Sequence, residues 1–276
     1  MRQPTIVRRR LIGRTLRAYR ANLAYDLGVA AAILNCDRSK MSRIETGERG
    51  IRADELLHLL EAYGVSEAEQ DILLAIVEST RSDSEAWWQD YPAILTGAHI
   101  EYLATEPYAS HILTYGPVVI PELLQTQDYA RAAAQSSPDV TAQAIRARQA
   151  EILDETTVSL AAIIGESALR QPVGGTAVMR EQLRSLADAA GGAWTTIQML
   201  ADASGAPVVG GTGSFSVLQF SANFTLGLVY LDGPRGGLCL DDPVDCAAYA
   251  EAFTRMQAAA LSPQASLDLI RQLAEG

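Results

Sequence analysis

DLGVAAAILNCDRSKMSRIETG, residues 26–47, decides how the rest of the chain is read. It has the pattern of two short helices around a tight turn. Asp26 is a good N-cap for a helix over Leu27–Leu34, and Ala30 and Ala31 are small enough for a crossing helix to come close. Asn35 falls where the chain turns, and asparagine tolerates the left-handed conformation found at helix ends. Asp37 caps a second helix, Arg38–Glu45, in which Met41 and Ile44 are three apart and face inward. Arg38, Ser39, Lys40, Ser42 and Arg43 then face out, Lys40 being the only lysine of the chain. Gly47 is a natural stop. An ordinary helical hairpin with solvated charges accounts for each feature singly. Cap, small residues, turn, buried pair and basic outer face at one spacing favour a helix-turn-helix whose second helix enters the DNA major groove.

The charge distribution points the same way. The chain of 276 residues carries a net charge of −11, which by itself argues against a polyanionic partner. Residues 1–52, however, hold 12 Lys+Arg against 4 Asp+Glu, a net of +8, and the remainder holds 10 against 29, a net of −19. A basic end on an acidic body is an electrostatic footprint for nucleic acid. The acidic body is expected to face away from DNA and to offer a negative surface to a basic partner.

Outward from the motif, Leu16, Tyr19 and Leu23 lie on one helical face, with Arg14, Arg17 and Arg20 interleaved. Arg8, Arg9 and Arg10 before them read either as an arm on the phosphates or in the minor groove, or as a solvated helix start. Ala53–Tyr63 reads as a fourth helix with Leu56, Leu57, Leu59 and Leu60 inward, closed by Gly64. Ser66 with Glu69 has a capping-box pattern for a fifth helix, whose Ile72, Leu73, Ile76 and Val77 are candidates for contact with a twin subunit. The polar stretch STRSDSEA then ends the first domain. The expected organisation is a mainly α helix-turn-helix domain of five helices over 1–80 and an α+β domain with a mixed or antiparallel sheet over 81–276.

The second domain alternates helix and strand patterns. Strand candidates are Ile112–Tyr115, Val118–Ile120, Val158–Ile164, Thr195–Leu200, Phe215–Phe220, Leu226–Leu231 and Leu238–Leu240. Helix candidates are Asp128–Gln135, Val140–Leu153, Thr176–Ala190, Pro243–Leu261 and Pro263–Leu273. The tandem Trp87-Trp88 after the linker reads as a pair of buried anchors, with an interface or ligand platform as the other reading. Pro121, Leu124, Gln125, Thr126 and Tyr129 read as a strand-to-helix corner or as part of a pocket, with Gln125, Tyr129, Arg146 and Arg170 as candidate polar groups for a ligand or partner.

Two resemblances add to this reading. The segment 12–65, with IGRTLRAYR (12–20) and SKMSRIETG (39–47), resembles the Xre/Cro-type helix-turn-helix family. That resemblance implies an ion pair of Arg20 with Glu45. With the residue pattern, it makes double-stranded DNA the expected partner, and the expected DNA-binding residues are Arg38, Ser39, Lys40, Ser42, Arg43, Asp26, Leu27, Arg8 and Arg9. Where the family has Gly-Leu-Ser/Thr before its second helix, this chain has Ala24-Tyr25-Asp26. The remaining 190 or so residues, with WWQDY (87–91), VIPELLQTQDYARA (119–132), RARQ (146–149), ESALRQPVGG (166–175) and VYLD (229–232), resemble the C-terminal domain of WhiJ-like actinomycete regulators. This implies a role in development and a small partner protein encoded nearby. The family commonly has Tyr-Glu-Pro where this chain has Tyr115-Gly116-Pro117.

Other chemistry is thinly supported. Gly210-Gly211-Thr212-Gly213-Ser214 runs into a strand pattern and not into a helix, so a hairpin or loop fits better than a phosphate cradle. His58, His99 and His111 are scattered, and Cys36, Cys239 and Cys246 lack ligand spacing, so no metal, cofactor or catalytic residue is expected. Reduced thiols fit a cytoplasmic protein, with a redox switch as the lesser alternative. No apolar run reaches the roughly 18–20 residues of a membrane span, and no signal peptide is read. The expected function is a dimeric, sequence-specific transcription regulator whose C-terminal domain receives a small partner protein or a small-molecule effector. The alternatives are a sequestration protein acting through a basic partner and an enzyme with a DNA-binding head.

Overall fold

The computed structural model describes residues 6–82, 86–95, 97–134, 136–154, 158–202, 213–220, 227–233 and 236–275. Five helices form the N-terminal head: α1 Ile6–Asn22, α2 Leu27–Ile33, α3 Arg38–Glu45, α4 Ala53–Ala62 and α5 Glu67–Ser82. Asp26 and Asp37 cap α2 and α3, accepting from the backbone N–H of Val29 and Lys40. Asn35 and Gly47 take left-handed backbone. So does Ala24, at φ 54°, where the Xre/Cro pattern has glycine. The exit from α1 is therefore made without the residue that reaches that conformation freely, at a cost of about 1 kcal/mol. Met41 and Ile44 are buried together with Leu16, Leu56, Leu59 and Leu60. Helix α1 crosses α3 at Gly13, where an added Cβ would lie 2.3 Å from the Ile44 carbonyl oxygen. No other residue permits that approach. Two expectations fail here: Leu23 is exposed, because α1 ends beside it, and Leu57 is only half-buried.

The C-terminal body is built on one six-stranded mixed sheet in the order β3-β2-β1-β4-β5-β6. Strands β1 His111–Gly116, β2 Ser159–Gly165 and β3 Thr195–Leu200 run parallel, whereas β4 Phe215–Gln219, β5 Gly227–Leu231 and β6 Leu238–Leu240 complete it antiparallel. The helices are α6 Gly97–Leu103, α7 Gln127–Ala133, α8 Pro138–Gln149, α9 Glu166–Arg170, α10 Thr176–Ala190, α11 Pro243–Ala259 and α12 Pro263–Glu275. Alternation along the strands sends Leu113, Tyr115, Val217 and Val229 to one face, under Phe253 and Met256 of α11. Ile112, Leu160, Leu218 and Leu228 go to the other. Residues 118–120 are not a strand: Gly116 and Gly165 let the segment after β1 fold tightly back, with Cβ positions only 2.3 Å from the Val119 and Pro117 carbonyl oxygens. For the same reason a glutamate has no room at position 116. Helices α6 and α9 are only seven and five residues long, α9 starts at Gly165 without a side-chain cap, and both escape a reading by pattern.

Head and body are not separate. One contiguous core contains Leu16, Met41 and Leu56 of the head and Ile112, Leu160 and Leu218 of the body. The backbone N–H groups of Ile6 and Val7 donate to the Glu101 carboxylate of α6, which caps α1 from the body. Arg10 pairs with Asp241 at 2.7 Å, and Arg14 donates to the Asp241 carbonyl and lies near the Asp241 and Asp242 carboxylates. The acidic body therefore grips the basic first helix directly. Leu73, Ile76 and Val77 of α5 are buried in this same packing and Ile72 is half-buried, so their apolar face is not an open dimer surface.

Candidate nucleic-acid interface and body cavity

The outer side of α3 remains uncovered. Arg38 is 72% exposed, Ser39 and Arg43 are exposed, and Ser42 is half-buried. Arg38 lies over Gly28, where a Cβ would collide with its guanidinium, and reaches to 3.6 Å from the Asp26 carboxylate. Such an exposed pair is weak and yields easily to a phosphate or a base edge. The Nε of Arg43 donates to the Ser39 carbonyl, which fixes the start of the side chain and leaves its end free to extend. Behind this surface Arg20 holds Glu45 in a fork, Nε to Oε1 at 2.6 Å and Nη2 to Oε2 at 2.9 Å, and its Nη1 donates to the Tyr25 carbonyl. Both side chains are largely buried. This pair raises the Arg20 pKa through its hydrogen bond to Glu45.

Several candidates on the head are placed otherwise than the sequence suggests. Lys40 does not face out: its ammonium meets Glu55 of α4 at 2.5 Å, half-buried, and holds that carboxyl below the ordinary range. Arg8 is fully buried and donates to the Ser79 hydroxyl, so it is neither an arm nor a solvated start. Arg9 is half-buried against Gly50. Leu27 packs half-buried against the core. Asp26 is exposed, but its carboxylate is held as a cap by the N–H groups of Val29 and Gly28, which lower its pKa, and it would meet a phosphate as a like charge.

The body contains a cavity of about 840 Å³ between the sheet, α6, α7 and α8. Its floor follows the strand register: Thr114 pairs with Ser216 and Ser216 with Tyr230, so three polar side chains cross β1, β4 and β5 in one row. The hydroxyls of Thr114 and Ser216 are 3.0 Å apart. Tyr230 stacks on His99 at 5.1 Å and on Tyr102 at 5.0 Å, both from α6. Apolar walls come from Leu95, Leu103, Val118, Ile120 and Ile145.

One wall is charged. Arg148 of α8 forks onto Glu106, Nε to Oε2 at 2.7 Å and Nη2 to Oε1 at 2.6 Å, while its Nη1 donates to Glu122 at 2.6 Å. Arg148 and Glu106 are nearly inaccessible, and Glu122 is 40% exposed. Burial alone would lower the Arg148 pKa, but the neighbouring Glu106 carboxylate outweighs it and holds the guanidinium well above its usual value. The Tyr102 hydroxyl donates to Glu106, and burial raises its pKa strongly. Burial lowers the pKa of His99, whose nearest carboxylate, Glu122, is 3.9 Å away.

Of the body candidates, Gln125 and Tyr129 are buried and close the corner before α7: the Gln125 amide donates to the Ile120 carbonyl, and Ile120 N–H donates to the Tyr129 hydroxyl. Gln125 also lines the cavity, but Tyr129 does not. Arg146 is exposed, away from the cavity, and Arg170 is exposed and paired with Glu166. Trp88 is buried as an anchor; Trp87 is half-buried, donates to Glu151 and forms part of the cavity wall. The residue that a reading of RARQ misses is Arg148. It falls three positions after Ile145 and six after Ala142, on the buried side of α8, and a charge on an apolar helical face is a usable signal. Of the glycine-rich loop, 210–212 lie outside the described residues, and Gly213 and Ser214 border the cavity. No His/Cys/Asp/Glu cluster among the described residues could hold a metal, and no described helix is long and apolar enough to cross a membrane. Burial pushes the thiols of Cys239 and Cys246 up to about 12 and about 11.

The elements that line the cavity also hold the head. Helix α6 presents His99 and Tyr102 to the cavity and Glu101 to α1. The β5–β6 hairpin presents Tyr230 and Gly236 to the cavity and runs directly into Asp241. A helix-turn-helix domain family matches residues 11–73, and a domain of unknown function, DUF5753, matches residues 100–272. No curated protein and no solved structure matches the chain. Because the second match spans more than half of the 276 residues, the chain belongs to the DUF5753 domain family and carries a helix-turn-helix domain at its N-terminal end.

Proposed function

We propose that this protein is a sequence-specific, DNA-binding transcription regulator of the Xre/Cro type, whose body receives a small molecule that alters the hold on the head. The observation that carries the first half is the exposed outer side of α3, with Arg38, Ser39 and Arg43 presented from a helix that is capped, crossed at Gly13 and tied by Arg20–Glu45. Arginine can bond guanine O6 and N7 bidentately, so two such residues on one helix suit direct readout. Binding as a homodimer is part of this reading, because one module reads few base pairs and paired half-sites multiply the information. The α5 face does not supply that contact. The second half is supported by α6 and the β5–β6 hairpin, which serve both the cavity and α1. A small partner protein of the kind associated with WhiJ-like regulators would act on the outside of the same body.

The test is selection from a random duplex library by the full chain, followed by anisotropy titration of the enriched sequence. A two-fold symmetric motif and a steep fall of affinity with salt are expected. Selection that enriches nothing, or affinity blind to sequence, would overturn the proposal.

A further inference from the structure

The structure assigns the body cavity to a ligand class: a small molecule with an apolar body and one basic group, an amine or guanidine. This rests on the reading that the body receives a small molecule. The first ground is charge balance. Two carboxylates, Glu106 and Glu122, stand directly behind or in the lining, with Asp232 on its exposed rim, against the single guanidinium of Arg148. The imidazole of His99, kept uncharged by burial, does not make up the difference. Excess negative charge at a partly desolvated wall is unfavourable until a cation joins it.

The second ground is the hydrogen-bonding capacity left over. Arg148 donates from Nε, Nη1 and Nη2 to Glu106, Glu122 and Tyr102, so it offers an anion little. Acceptors remain. Glu122 is 40% exposed, and its Oε1 has no hydrogen bond among the described residues. The His99 side chain is 17% exposed, faces the cavity and makes no hydrogen bond among the described residues. A neutral imidazole can accept one. The free capacity of the wall is thus for a donor that carries positive charge. The third ground is size and surface: about 840 Å³ with mainly apolar walls of aliphatic and aromatic side chains falls in the range of small-molecule sites, which fix an apolar body with a few polar groups.

The experiment compares three probes of one shape on the full chain: 4-phenylbutylamine, 4-phenylbutanol and 4-phenylbutyrate. Saturation-transfer NMR and thermal shift report binding near neutral pH. The amine is expected to bind at least about tenfold more tightly than the other two. In Glu122→Gln the amine should lose about that factor while the alcohol is unchanged. Asp232→Asn, on the exposed rim, provides a second variant should the first be poorly folded. Equal binding of all three, or preference for the carboxylate, overturns the ligand class and leaves a ligand-receiving body standing. No binding of any probe up to about 1 mM, the weak end of measurable affinity, overturns both, independently of whether the head selects DNA.

Discussion

Head and body each contain an arginine that forks onto a buried glutamate, and the two forks differ in an instructive way. Arg20–Glu45 joins α1 to α3 as one cation and one anion, with a remaining arginine N–H donating to the Tyr25 carbonyl. It is balanced and closed, so its role is to hold the recognition helix in place. Arg148–Glu106 is more deeply buried, yet the same guanidinium also serves Glu122, and Tyr102 adds its hydroxyl and its ring. That cluster has more anion than cation and borders a cavity. The same pairing chemistry thus serves as a scaffold where charge closes and as a receptive wall where it does not.

The largest expected effect tests that contrast in stability. Removing one partner of a buried pair strands the other, typically at about 3–5 kcal/mol. Arg148→Met should fall at the upper end, because Glu106 is left almost fully inaccessible. Glu45→Ala should fall at the lower end, because Arg20 can turn toward solvent. Urea unfolding of the full chain checks both. Because one core spans head and body, a single cooperative transition is expected in each case. Equal losses would remove the distinction drawn here.

The next effect is on DNA. Arg43→Ala should cost about 1–3 kcal/mol of binding to the selected sequence and relax its preference at one position per half-site. Lys40→Met should cost less than Arg43→Ala, because Glu55 already holds the ammonium. A larger loss at Lys40 would mean that the lysine leaves Glu55 on binding DNA.

The smallest effect concerns pH and separates the two regions by their histidines. His58 of the head is exposed, whereas His99 is buried in the cavity wall. Burial holds the folded pKa of His99 below its ordinary 6.5 against the pull of Glu122, Glu106 and Asp232. The unfolded chain therefore takes up a proton near pH 6.5 that the folded chain takes up only at lower pH. The stability this histidine confers is complete above 6.5 and is lost as pH falls. Urea midpoints at neutral and mildly acidic pH should differ less in His99→Gln than in the parent. Identical pH dependence of the two proteins would show that His99 does not titrate differently on folding.

How much of this was legible beforehand depended on whether the deciding interactions are local. Residues 26–47 carry their caps, turn and buried pair within a few positions of one another, and the helix-turn-helix follows from those spacings alone. The mixed sheet could be anticipated from β-rich runs punctuated by turns, although its order and its parallel half could not. At 118–120 a β-rich run lost to the tight fold-back that Gly116 and Gly165 permit. The sequence by itself determined the recognition helix, the fold class and the charge contrast between the two ends. Tertiary structure alone decided what those charges do. It turned Lys40 inward to Glu55, buried Arg8, set Arg10 and Arg14 on Asp241 and brought Arg148 to Glu106. Opposite charges attract across whatever gap the fold closes, and sequence separations such as the 227 residues from Arg14 to Asp241 give no local signal of which gaps those are.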